Sequence, residues 1–195
     1  MKSGPVIVSS FLLLVVVTTA ARSASAQNSD AVASMEGKLY HVEGNAKLAH
    51  PDPTPTTFTE QEVNAYLASG RLEFPAGVQS VRLQGQPGIV TADTRVDFDR
   101  LRAGINSSNP LLSIFTGVHD VIVVSHSHGL KGKAFVHVDS VSLDGVEIPR
   151  FVLQLFIDKY LRPKYPQAAL DSQFALPDKI DSATAGSHTL TVTQR

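Results

Sequence analysis

The sequence predicts an α+β fold built on a long, strongly curved antiparallel sheet with two main helices. Three observations carry this. From Val90 to Phe98 the even positions read Val, Ala, Thr, Val, Phe and the odd positions from Thr91 read Thr, Asp, Arg, Asp, the period of a half-buried strand. Val118 to His128 is a long strand-like run that Gly129-Leu130-Lys131-Gly132 turns back into Lys133–Leu143. In that return strand the apolar phase slips by one between Val136, Val138 and Val141, Leu143, which predicts a bulge and a bend. Two segments, after Thr59 and from Arg150 to Leu161, instead carry helical patterning.

The 195 residues divide into a signal peptide (1–26), a flexible N-terminal arm with a proline-rich linker (27–57) and a single domain (58–195). Lys2 precedes an apolar run from Val6 to Ala21, and Ala24-Ser25-Ala26 is a small-x-small cleavage site. The expected product is exported, periplasmic or extracellular, and begins at Gln27. The net charge of −1 gives no electrostatic case for nucleic acid as a partner. The chain has no Cys, which excludes a disulfide framework, a thiolate metal site and a cysteine nucleophile. An exported chain without Cys fits a bacterial periplasm or cell surface, where the formal glycosylation sequon Asn106-Ser107-Ser108 is expected to be unmodified.

Gln27 to Ser34 is small and polar and reads as a loose arm; Glu36 to Ala49 reads as at most a short strand. Pro51, Pro53 and Pro55 keep the next stretch extended. Thr59 and Glu62 have the spacing of a capping box, and Phe58 with Val63 that of a hydrophobic staple, so a helix starts there and stops at Gly70. Val81 and Leu83 pair through the Gly85–Gly88 turn with the strand from Val90. Leu111 to Phe115 is ambiguous, with a helical turn as one reading. Asp144-Gly145 is a turn, and Pro149 opens the second helix. Ile180–Thr184 and Thr189–Thr193 form a terminal hairpin.

The second helix is unusually apolar. Phe151, Val152, Leu153, Leu155, Phe156, Ile157, Tyr160 and Leu161 cover most of its circumference. A surface helix needs an apolar stripe of only a little over 100°. At about 18 Å it is too short to span a bilayer. Either the protein covers both faces, or one face lines an apolar cleft. On the second reading Leu67, Phe151, Leu155, Phe156 and Tyr160 are wall residues, and Lys159, Arg162 and Lys164 meet an anionic headgroup at the mouth. Positive charge placed at a helix C-terminus explains the same three residues without a ligand.

The order of segments resembles the LmeA-like and YpmS-like single-domain envelope proteins of the tubular lipid-binding (TULIP) superfamily. The likeness is carried by Thr59-Glu60-Gln61-Glu62-Val63-Asn64, by Val141-Ser142-Leu143-Asp144-Gly145 to Ile148-Pro149 before the apolar helix, and by Phe174-Ala175-Leu176-Pro177 with Ile180. It spans about Phe58 to Val192, and Leu111 to His128 matches no motif of the family. The resemblance implies a curved sheet wrapped around the helix and an apolar groove for acyl chains, with no catalytic residues and no cofactor.

Catalytic readings have thinner support. His126-x-His128 shares a strand face, and His137 falls on that face opposite Val124 if the hairpin turns through Gly129–Gly132; three such His suit zinc with an open position. No Gly-x-Ser-x-Gly elbow or phosphate-cradling loop is present, and Asp97 with Asp99 lies on a polar strand side. The expected function is non-catalytic binding of a lipid or other hydrophobic small molecule in the bacterial envelope, with transient contact to a membrane surface. The alternatives are a structural or partner-binding envelope protein with a filled core, and a zinc-dependent hydrolase using His126, His128 and His137.

Overall fold

The computed structural model describes residues 27–103, 108–166 and 168–195. The signal-peptide segment lies outside these residues, as does most of the Asn106 sequon.

The described residues begin with a helix, α1, over 27–46, where the sequence reads as a loose arm and a short strand. Its buried face is Ala31, Val32, Met35, Leu39, Val42 and Asn45, a three-and-four spacing of small and apolar residues. Gly37 and Gly44 obscure that pattern, but both point to open space. The proline segment is likewise tied down. Asn45 accepts from the Asp52 amide at 2.8 Å and donates to the Asp52 carbonyl and to the Gln194 side chain. Gln194 in turn donates to the carbonyls of Val42 and Asp178. The chain then forms β1 (Thr56–Thr59), which pairs with the last strand and was not foreseen.

Helix α2 (Glu60–Ala68) begins as the capping box requires. Thr59 Oγ1 accepts from the Glu62 amide, and the Glu62 carboxylate accepts from the Thr59 amide. Phe58 and Val63 meet in one cluster with Val42 and Val192, so the staple forms.

A nine-stranded antiparallel sheet makes up the rest. β2 (Val78–Gln86) and β3 (Ile89–Asp97) are the foreseen hairpin, with Gly88 at φ +74° in its turn. A single helical turn, α3 (Phe98–Leu101), and a 3-10 turn (Pro110–Leu112) precede the long central hairpin of β4 (Val118–Leu130) and β5 (Lys133–Leu143). β6 (Val146–Glu147) and β7 (Asp171–Ala175) border β5. β8 (Ile180–Gly186) and β9 (Thr189–Gln194) form the terminal hairpin. β4 outruns β3: Val118 to His126 pair with β3, then His128 and Gly129 pair with β8. Gly129 permits that approach, since a Cβ there would sit 2.8 Å from Ala183.

The phase slip in β5 is a real bulge. Val124 pairs with Ser140 and Ser125 with Val138, leaving Asp139 as the extra residue. Val138 and Val141 therefore both face inward. The hairpin turn differs from the expected one. Only Lys131 and Gly132 form it, at φ +52° and +72°, so His137 lies opposite His126 rather than Val124.

The second helix also departs from expectation. It is α-helical over Arg150–Phe156 (α4) and then opens into a π-turn over Ile157–Leu161. The Arg162 amide reaches the Ile157 carbonyl at 2.9 Å, one residue beyond the α spacing.

The interior is divided. The main cluster lies between α4 with its π-turn and the inner face of β3, β4 and β5; two smaller clusters lie under α1 and α2. Among the described residues no helix is long and apolar enough to cross a membrane.

Candidate functional site

The main cluster does not close. Between the π-turn and the sheet lies a cavity of about 410 Å³, within the size range of small-molecule pockets. Val96, Val121, Val123, Val138, Val141 and Leu143 form its sheet wall. Leu153, Phe156, Ile157 and Leu161 form its helix wall, and Phe98, Leu101 and Phe115 its end. Pro75 and Tyr165 on its lining are exposed, so the space reaches the surface. The lining is almost wholly apolar.

Local sequence explains this wall. Period-two alternation sends Val121 and Val123 inward, and the Asp139 bulge keeps Val138 and Val141 on the same face despite the odd spacing. The π-turn widens the helix where Ile157 and Leu161 meet the cavity. Phe156 anchors the end: its ring lies 4.2 Å from that of Phe115 and 5.5 Å, edge-on, from that of Phe98.

The five expected wall residues separate. Phe156 lines the cavity. Tyr160 is behind the wall, 1% exposed, and packs on Phe156 with ring centroids 5.3 Å apart. Phe151 and Leu155 turn away, 60% and 37% exposed, because they lie on the solvent side of α4. Leu67 belongs to α2 and does not line the cavity. Hydrophobicity alone placed all five on a greasy surface; the orientation of α4 and its π-turn selects among the four they carry. Leu153, Ile157 and Leu161 take the places of Phe151 and Leu155. Phe115, in the segment with the ambiguous reading, was missed, and its spacing after Asn109-Pro110 holds no signal for the role.

The three basic residues differ as well. Lys164 Nζ donates to the Leu101 carbonyl at 3.0 Å, joining the chain after the π-turn to α3. Arg162 pairs with Asp158 at 2.7 Å. Lys159 is exposed and has no ion pair among the described residues.

His126, His128 and His137 occupy the opposite, outer face of the sheet. His126 Nδ1 is 2.7 Å from Asp139, and His137 contacts Asp171, which Arg150 also holds at 2.6 Å. Hydrogen bonds from His137 and then Arg150 keep the Asp171 carboxyl below its usual range. His128 stacks on Phe135, centroids 5.0 Å apart. Among the described residues no group of three or more His, Asp or Glu is placed to hold a metal ion. His126, His128 and His137 line one outer depression, and Asp139 contacts both His126 and His137, at 2.7 and 3.9 Å.

Fold and cavity define the class: an α+β protein with a large antiparallel sheet and an apolar chamber under one helix. No protein-family model, curated protein or solved structure matches the chain.

Proposed function

We propose that this protein binds a lipid or similarly hydrophobic molecule without chemically changing it. The observation that carries this reading is the apolar cavity of about 410 Å³ between the π-turn and β3–β5. Well-packed interiors have few voids larger than a water molecule. Left unfilled, an apolar space of this size would forgo dispersion contacts along its lining, and a hydrophobic guest supplies them. The resemblance of the segment order to TULIP-superfamily proteins supports the same reading, and so does the export pattern of residues 1–26, which suits a carrier, sensor or assembly factor in a bacterial envelope.

The test is lipid extraction and native mass spectrometry of the purified protein, followed by uptake of a fluorescent fatty acid. A Val141→Phe change fills the chamber from the sheet side and should abolish uptake while leaving the protein folded. Protein that arrives empty and takes up no probe removes the reading.

A second reading is favoured by a different surface. Phe151 and Leu155 on α4, Leu111 in the 3-10 turn that packs on α4, and Ile114 just after that turn are all exposed. Single exposed apolar residues are ordinary, but four on adjoining elements suit contact with a protein partner or a membrane surface. Phe151→Ser/Leu155→Ser should leave ligand uptake intact and remove such contact.

A further inference from the structure

Two short segments that line the cavity are basic, and the second carries the exposed Tyr165. The first is α3 with its cap, Phe98 to Arg102, whose Phe98 and Leu101 line the cavity. The second is the π-turn and the chain after it, from Ile157 to Tyr165, which contributes Ile157, Leu161 and Tyr165. The bond from Lys164 to the Leu101 carbonyl holds the two together. They carry Arg100, Arg102, Lys159, Arg162 and Lys164 against Asp99 and Asp158, and each of these two acids is already paired with an arginine. Asp97 is turned to the amide of Arg100 as the cap of α3, and Glu73 precedes Pro75 on a third segment of the lining.

The Tyr160 hydroxyl, behind the helix wall, is buried with no hydrogen-bond partner among the described residues, a costly state for a phenol. The Arg102 guanidinium lies beside it without making a bond of good geometry.

The chamber's size limits the tail. A methylene group takes up about the space of a water molecule in the liquid, ~30 Å³, so the chamber takes on the order of a dozen carbons. That is one chain and not two.

Building on the lipid-binding reading above, we infer that the ligand is a single-chain amphiphile with an anionic headgroup, held at the mouth by Arg102 and Lys164. Charge-assisted hydrogen bonds to a carboxylate or phosphate are the stronger kind, and the apolar wall offers such a group no competing site.

The test compares decanoate, decanol and dioleoyl phosphatidylglycerol by calorimetric titration of the full chain without residues 1–26. Decanoate should bind about tenfold more tightly than decanol, and the two-chain lipid more weakly than decanoate. Arg102→Gln/Lys164→Met should lose that advantage and keep decanol binding. Arg102→Gln alone, which leaves the Lys164–Leu101 bond in place, should show a partial loss and guards against a folding defect. Equal binding of acid and alcohol, an unchanged advantage in the variants, or loss of both ligands together overturns the headgroup assignment while lipid binding stands. Tighter binding of the two-chain lipid overturns the single-chain assignment. If neither decanoate nor decanol binds, the lipid-binding reading fails and this inference with it.

Discussion

Lys38 on α1 and Glu62 on α2 form an ion pair at 2.7 Å that ties the first helix to the body of the protein. Ser34 donates to the same carboxylate, and Lys38 also donates to the Thr57 carbonyl. Burial alone would raise the Glu62 carboxyl, but the hydrogen bonds from Lys38, Ser34 and Thr59 outweigh it and hold it at about 2, against an ordinary 4.5. A depressed folded value contributes stability that is complete above pH 4.5 and lost as the pH falls towards 2. The contribution is at most roughly 3 kcal/mol. Urea unfolding between pH 7 and pH 3 should show this acid-side loss, and Glu62→Gln should be less stable at neutral pH with a flatter acid limb. Parallel pH profiles would exclude the pair as its source.

His119 gives the opposite sign. Its Nδ1 lies 2.5 Å from Asp144, which links the start of β4 to the β5–β6 turn. The hydrogen bond with Asp144 raises the imidazole above its ordinary 6.5, against a smaller effect of burial. The stabilisation is complete below pH 6.5 and is lost as the pH rises through the folded value. Asp144→Asn should remove that slope on the alkaline side of pH 6.5, measured as Tm against pH. An unaltered slope would assign it to another group.

Phe156 and Leu155 are neighbours with opposite roles. Phe156→Ala removes three aromatic contacts and should destabilise the domain by about 3–5 kcal/mol. Leu155→Ala, on the solvent side of α4, should change stability by less than about 0.5 kcal/mol. Guanidinium unfolding of both variants distinguishes them; comparable losses would mean that α4 is oriented differently.

Two glycines should also respond in opposite directions. Gly129→Ala places a Cβ 2.8 Å from Ala183 and should cost about 1–3 kcal/mol by forcing β4 from β8. Gly37→Ala adds a methyl to open space within α1 and should stabilise by about 0.5–1 kcal/mol. Thermal melts report both, and a stabilising Gly129→Ala would contradict the close approach of the strands.

Much of the architecture is readable where neighbours along the chain decide it. Thr59 and Glu62 cap α2 because their spacing alone lets each reach the other's amide. The bulge at Asp139 is visible because an inward residue at 138 followed by one at 141 admits no regular strand. α1 escaped notice because Ala31, Val32 and Met35 make a weak stripe and Gly37 and Gly44 interrupt it; its helicity depends on α2 and β9 lying beneath it. β1 is extended for a reason outside its own sequence, its pairing with β9 from the other end of the chain.

The apolar character of residues 150–161 was written into the chain, and it pointed to a second apolar face needing cover. Which half turns inward, and whether the protein's own atoms fill the space beneath it, depended on contacts among segments distant in sequence. Phe115, Leu101 and Val141 reach the same chamber from three places, and the π-turn sets how far Ile157 and Leu161 stand from them. Periodicity reports the face of a single element, whereas a void exists only between several, so the chamber appears only once they are packed together.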